Sequence, residues 1–282
     1  MSAAAGRLTT YQHDGLSFDV LDEGPLDGDP IVLLHGFPER ASCWRLVAPL
    51  LHAHGLRTYA PDQRGYSPGA RPSRRRDYRF DTLAEDVVAL IDAIGRPVHL
   101  VGHDLGAAVG WCVAGKRPDL VRTWTAVSVT HPLAFVRSLL TSRQLLNSWY
   151  IAMFNVPKLA EVVAARDPRR FEATLRRAGM TTDDIARFRT EILEYGALPG
   201  ALGWYRAMLL VDSSARNPKV KVPTTMVWSD GDAALVRRGV DGAESFVEAP
   251  YELVVLKGVS HWIPVHAPEA LAEAILERVA TA

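Results

Sequence analysis

Val98-His99-Leu100-Val101-Gly102-His103-Asp104-Leu105-Gly106-Ala107 is the stretch on which the fold turns. Val98 to Val101 is a β-rich apolar run that ends at Gly102, and Leu105 to Ala114 reads as a helix full of small residues. Between them stands one sharp turn, Gly102-His103-Asp104-Leu105-Gly106. Strand, tight turn and helix in that order form the setting of a nucleophile elbow. Small residues two positions either side of the central residue let strand and helix approach closely. The central residue takes a strained backbone, which lifts its side chain off the sheet edge. Here that residue is Asp104, where serine is usual. Alone, Gly-x-Asp-x-Gly also reads as an aspartate capping the helix that follows, so the surroundings decide.

Outward from the elbow, strand and helix signals alternate. Ile31 to Leu34 and Leu56 to Ala60 are short apolar runs, and Trp44, Leu46, Val47, Leu50 and Leu51 recur between them at helical spacing. Leu83 to Ile94 is helical, with Val87, Leu90, Ile91 and Ile94 on one face, and Val121 to Val129 is a further strand. Such alternation implies an α/β fold with a mostly parallel, doubly wound sheet. The rhythm changes near His131-Pro132. From there to about Asn217 the pattern is helical only. Strand signals return at Thr224 to Trp228 and Glu252 to Leu256, and Leu271, Ile275 and Val279 mark a last helix. The expected organisation is a core of residues 1–131 and 217–282, with a helical cap inserted at 132–216.

Two other loops at strand ends converge on the elbow in this scheme. His35-Gly36-Phe37-Pro38 follows the first core strand and can aim a backbone N–H at the reaction centre. With the N–H of Leu105 it would form an oxyanion hole; an ordinary β–α turn is the plainer reading. Val259-Ser260-His261-Trp262 follows the strand Glu252 to Leu256 and places His261 where it can swing over the elbow. A carboxylate to orient it is available in Ser229-Asp230-Gly231-Asp232. Asp232 lies further beyond the strand end and is preferred, with Asp230 as the alternative. The order nucleophile, acid, histidine is that of a hydrolase triad. His103 points beneath the turn if Asp104 points up.

Composition narrows the remaining choices. The chain has 282 residues, 48% of them hydrophobic, enough for one large core with an inserted subdomain. Thirty-two basic residues balance 32 acidic ones, which argues against nucleic acid or an anionic membrane as partner. The Arg74-Arg75-Arg76 run lies among Pro, Ser and Gly and reads as a solvated loop. Cys43 and Cys112, the two cysteines, form neither a metal pair nor a disulfide framework and are expected as buried thiols. The first ten residues lack a signal-peptide core, and no run of about 18 apolar residues spans a membrane. A cytoplasmic protein is the expectation, with no metal or organic cofactor. The oligomeric state is open, and a homodimer is the assembly allowed for.

An aspartate nucleophile restricts the chemistry. It is already ionised near neutral pH, because a free aspartate titrates near ~4, so histidine is released for another task. Attack on an ester or amide would make an anhydride and gain little. Attack on a saturated carbon bearing a leaving group gives a stable alkyl ester. His261, polarised by Asp232, can then activate water against that ester. Epoxides and alkyl halides are the two natural substrates. An opening epoxide generates an alkoxide, which needs an acid such as a phenol, whereas a halide needs N–H donors, typically indole. The side chains of Phe37 and Leu105 donate nothing. The insertion holds Tyr150 and Tyr205 in apolar settings, each equally readable as a packing residue.

His35-Gly36-Phe37-Pro38, Gly102-His103-Asp104-Leu105-Gly106-Ala107 and His261-Trp262 resemble the α/β-hydrolase-fold epoxide hydrolases, and the resemblance covers nearly the whole chain. It implies the α/β-hydrolase fold with a helical cap. Members of that family carry two cap tyrosines that hydrogen-bond the epoxide oxygen. The first precedes a Phe by four residues in a Tyr-x-x-x-Phe-Gln/Asn-x-Pro pattern, which Tyr150, Phe154, Asn155 and Pro157 match. The second stands in Trp-Tyr-Arg, matched by Trp204, Tyr205 and Arg206. The family's acid falls on Asp232, four residues after Trp228.

The resemblance thus implies a small apolar epoxide and water as substrates. Asp104, His261, Asp232, Tyr150 and Tyr205 are the catalytic set, and the N–H groups of Phe37 and Leu105 form the oxyanion hole. His35, Pro38, Trp149, Phe154 and Trp262 are the expected pocket residues. One departure is Leu105, where the family often has Trp, as haloalkane dehalogenases do. Trp149 and Trp204 keep a dehalogenase as the alternative, since a cap indole can hold a halide. A non-catalytic binding protein on the same fold is the second alternative.

Overall fold

The computed structural model describes residues 6–208, 210 and 219–282. Eight strands form one sheet: β1 (Thr10–His13), β2 (Leu16–Glu23), β3 (Asp29–Leu34), β4 (Leu56–Pro61), β5 (Val98–His103), β6 (Val121–Val127), β7 (Thr224–Ser229) and β8 (Tyr251–Leu256). Their spatial order is β1-β2-β4-β3-β5-β6-β7-β8. Pairing is antiparallel at β1–β2 and β2–β4 and parallel from β4 onward. The alternation of strands and helices therefore produced the expected parallel core. The antiparallel edge, β1 and β2, was not foreseen. β1 is short, and β2 mixes Asp and Glu with apolar residues because only one of its faces is covered: it alternates more buried and more exposed positions.

The centre of the sheet is dry on both faces. All residues of β4, β5 and β7 are buried, the continuous apolar run expected of strands flanked by helices on both sides. One core cluster joins Val32, Leu34, Leu100 and Ala126 to Val87, Leu90, Ile91, Trp111 and Trp124. The other joins Ile31, Leu33, Val101 and Val227 to Trp44, Leu51, Leu271 and Ile275. Odd and even residues of one strand thus serve opposite layers. Cys43 and Cys112 are both buried. The run read as helix around Trp44 is two pieces, a 3₁₀ turn (Ala41–Leu46) and a short α-helix (Ala48–His52), because Pro49 can start an α-helix but not sit within one.

Between β6 and β7 the chain is helical, beginning with Pro132–Thr141 and reaching Leu198–Ala207, with one π-helical stretch at Arg189–Glu194. The expected end of this insertion, at 216, lies outside the described residues. No helix among the described residues is long and apolar enough to cross a membrane.

Candidate active site

β3, β5, β7 and β8 all run parallel, so the loops that leave their C-terminal ends open on one edge of the sheet. That edge is where open α/β sheets gather ligand-binding groups. The turn after β5 has the expected strain. Asp104 sits at φ 51°, ψ −125°, outside the regions comfortable for a residue with a Cβ. Its side chain does not cap the helix Leu105–Lys116 that it precedes. Two glycines make the turn fit. A Cβ on Gly106 would stand 2.4 Å from the His35 carbonyl oxygen, and one on Gly36 would stand 2.4 Å from Asp104 Oδ1.

Asp104 is buried and fully hydrogen-bonded. Its Oδ1 accepts the N–H of Phe37 at 2.8 Å, and the N–H of Leu105 also donates to this carboxylate. Its Oδ2 faces His261 Nε2 at 3.3 Å. On the other side of the ring, His261 Nδ1 meets Asp232 Oδ2 at 2.9 Å. The remaining oxygen of Asp232 accepts the N–H groups of Ala234 and Leu235 at 2.7 and 3.0 Å. Asp230, the alternative acid, instead accepts the Gly258 N–H at 2.6 Å in an exposed setting. Of the two carboxylates, Asp232 is the one in contact with His261.

The charges hold one another. Burial lowers the basicity of His261, but the Asp232 charge and the hydrogen bond that His261 donates to Asp104 outweigh it and raise its pKa to about 10. Burial would raise the Asp104 pKa, yet the His261 bond and charge bring it below the ordinary value. Both shifts favour an imidazolium between two carboxylates.

Beneath Asp104, His261 and Asp232 lie His103, which the sequence placed there, and Glu39, which it did not single out. His103 does point under the turn: its Nε2 donates to the His261 carbonyl oxygen at 2.9 Å, and Ser128 Oγ donates to the same oxygen at 2.9 Å. With Nε2 as the donor, the other ring nitrogen faces the Glu39 carboxyl at 3.5 Å. Burial first, then the Asp184 charge, raise the Glu39 pKa to about 8. Its position directly after His35-Gly36-Phe37-Pro38 was the available signal.

Over Asp104 lies a cluster of aromatic rings. Phe37 stacks edge-on with Phe154 and Tyr205, at centroid distances of 5.2 and 5.1 Å. Tyr150 meets Phe154 and Tyr205 at 5.7 and 5.9 Å. Burial and then the Asp104 charge push both phenols above their ordinary pKa, so both keep their protons at neutral pH. Neither hydroxyl has a hydrogen-bond partner among the described residues.

The other expected pocket residues fare unevenly. Phe154 is in the ring cluster. Pro38 is buried and lines a small cavity with Glu39, Cys43 and Met180. Trp262 is buried edge-on to His261 and His103, below the triad. His35 is also not a wall residue. It is fully buried, its Nε2 accepts the Gln63 N–H at 3.1 Å, and Nδ1 lies 3.2 Å from the Gly36 carbonyl. It supports the His35–Pro38 loop from behind, and burial lowers its pKa to about 4. Trp149 is 53% exposed on the outer face of the insertion. Its helix turns that side outward because Tyr150 and Phe154, four residues apart, take the inner one. The Trp204 indole N–H donates to the Arg64 carbonyl at 2.7 Å.

Comparison with known proteins agrees with this arrangement. A family model described as "Alpha/beta hydrolase family" matches residues 31–274. The chain is 34% identical to the AB hydrolase superfamily protein YfhM of Bacillus subtilis, covering 94% of each chain. It is 30% identical to Epoxide hydrolase 2 of Caenorhabditis elegans, over 88% of this chain and 73% of that one. A solved epoxide hydrolase from metagenomes of hot environments superposes with a TM-score of 0.83 at 27% identity, covering 99% of both chains. Strand order, elbow and relatives all converge: the chain belongs to the alpha/beta hydrolase family, and the epoxide hydrolases are among its relatives.

Proposed function

We propose that the protein hydrolyses epoxides to vicinal diols in two steps through an alkyl ester on Asp104. One observation carries the reading: a buried aspartate, held by two backbone N–H groups, faces two protonated tyrosines whose hydroxyls have no partner among the described residues.

In the first step Asp104 Oδ2 bonds to an epoxide carbon and the carbon–oxygen bond of the ring breaks. Oδ1 stays in the N–H pair and becomes the ester carbonyl. Tyr150 and Tyr205 donate to the departing ring oxygen; one of them gives it the proton that makes the first hydroxyl of the diol and is reprotonated by the proton His261 then releases. Asp104's charge is one reason both tyrosines are such weak acids; as the ester forms, that charge disappears and both become better donors. The same loss takes one carboxylate partner from His261. Its pKa falls, so it can give up its proton and act as a base on water. Water attacks the ester carbon, its proton passes to His261, and the oxyanion sits between the Phe37 and Leu105 N–H groups. Collapse releases the diol and restores Asp104. Asp232 orients His261 throughout and stabilises its cation. The helical insertion acts as a cap that carries the acids to the substrate.

Halide chemistry is less well supported. The two cap indoles that could hold a halide are unsuited: Trp204 has given its N–H to Arg64, and Trp149 faces outward. A parallel turnover assay on small aryl and alkyl epoxides and on matched haloalkanes tests the choice. Diol without halide is expected; halide without diol would overturn the leaving-group assignment. His261→Gln should trap the ester, giving Asp104 the mass of one added substrate. A turned-over substrate that leaves no adduct would sink the two-step mechanism.

A further inference from the structure

Gln144 lies in the insertion, 1% exposed and far in sequence from Asp232. Its amide is committed at both ends. Nε2 donates to the Ala234 carbonyl at 2.6 Å and to Ser148 Oγ at 3.0 Å, and Oε1 accepts the Val236 N–H at 2.9 Å. The two backbone contacts flank the segment whose N–H groups bind Asp232 Oδ1. Trp228 completes the set by donating its indole N–H to the Leu235 carbonyl at 3.0 Å.

The loop after β7 thus has little regular structure of its own. Among the buried side chains that hold it are Asp232 from within, Trp228 from the strand beneath, and Gln144 from the insertion above. Only the last belongs to the part of the molecule that carries the tyrosines. Its partner Ser148 immediately precedes the helix Trp149–Asn155, on which Tyr150 sits. A second insertion contact, Asn147 Nδ2 to the Ala233 carbonyl at 3.2 Å, is exposed. Buried polar pairs are costly to leave half-made, so the buried amide rather than the exposed one fixes the loop.

We propose that Gln144 is a positioning residue for the acid of the triad, tying the Asp232 loop to the helix that bears Tyr150. The clamp sets how closely Asp232 Oδ2 approaches His261, and so how well His261 serves the ester-hydrolysis step. This rests on the two-step reading given above. Replacing Gln144 leaves Asp104, both tyrosines and the oxyanion N–H groups in place. Its effect should therefore fall mainly on hydrolysis of the ester and less on its formation.

The test is Gln144→Met, which keeps length and removes both polar ends, read in two ways. The first is the titration of the His261 ring by NMR, which needs no substrate. The other ionisable groups around the ring are Asp104, Asp232, His103 and Glu39, all retained in the variant. Loosening Asp232 should lower the His261 midpoint by about one pH unit, the equivalent of roughly tenfold in the interaction. The second is single-turnover kinetics with an epoxide, where ester decay should slow roughly tenfold more than ester formation. Should Gln144→Met fail to fold, Gln144→Asn, which keeps an uncharged amide on a shorter arm, serves the same readouts and should give a smaller shift of the same sign. An unchanged His261 titration in a folded variant overturns the proposal, whatever the substrate. A lowered titration in an enzyme that opens no epoxide leaves the clamp standing and discards the epoxide reading instead.

Discussion

On the sheet side of Asp104 every carboxylate and imidazole atom of the triad has a protein partner, whereas the two tyrosine hydroxyls on the insertion side have none among the described residues. The contrast follows from what each side must do. Asp104, His261 and Asp232 carry charge in a dry interior, where an unpaired charge costs several kcal/mol. They are pinned at the ends of parallel strands, the stiffest part of the fold. The tyrosines carry no charge at rest and need only hold a proton, so burial suffices to keep them protonated and their donors remain available to a ligand. A site built this way separates stabilising its own charges from stabilising those of the substrate.

The sharpest way to break this division is Asp104→Ala. Diol formation should fall on the order of 10⁴-fold or more, because no other group can form the ester. Residual turnover above about one part in a hundred, by product chromatography, would relocate the nucleophile. Next comes the insertion side. Tyr150→Phe with Tyr205→Phe should slow ester formation by about 10²–10⁴-fold, the usual worth of general-acid help, while leaving the His261 titration alone. A rate within twofold of the parent would make the rings packing residues.

The pH response sharpens the comparison from the triad side. His261 sits at about 10 with both carboxylates charged. In the ester, Asp104 is neutral, so the His261 pKa must fall. The base is the neutral ring, hence ester decay should accelerate as pH rises through a midpoint below about 10. Stopped-flow decay rates that drop with rising pH would contradict the role given to His261. A paired substitution separates the two acids. Asp232→Asn should cost about 10²-fold or more in turnover, while Asp230→Asn, altering an exposed turn, should change it by less than about twofold. The smallest expected effect is Trp149→Ala, within about 0.5 kcal/mol in thermal stability and neutral in turnover.

How far the sequence could be read differed between the same two regions. At the core, short apolar runs closed by Gly, Pro or Asp mark strands whose ends must share one edge, because parallel strands point the same way. Asp104, His35 and His261 could therefore be brought together before any coordinates. Within the insertion the helical pattern announces helices but not their packing. Tyr150 and Tyr205 were recognisable only by resemblance to a family. Trp149, adjacent to Tyr150, was assigned to the pocket although a helix sends neighbouring residues to different faces. The N-terminal strands escaped notice because an edge with one wet face carries a weaker hydrophobic signal than a central strand.

What the sequence alone determined is the α/β sheet, the strained elbow with a carboxylate at its apex and the order of its partners, since these rest on local periodicity and turn chemistry. Tertiary structure decided which carboxylate of Ser229-Asp230-Gly231-Asp232 meets His261, that the His35 ring accepts the Gln63 N–H behind its loop, and that Gln144 bonds to the backbone of Ala234 and Val236. Each of these depends on distances between segments remote in the chain. Hydrogen bonds fix such distances only once the sheet has assembled.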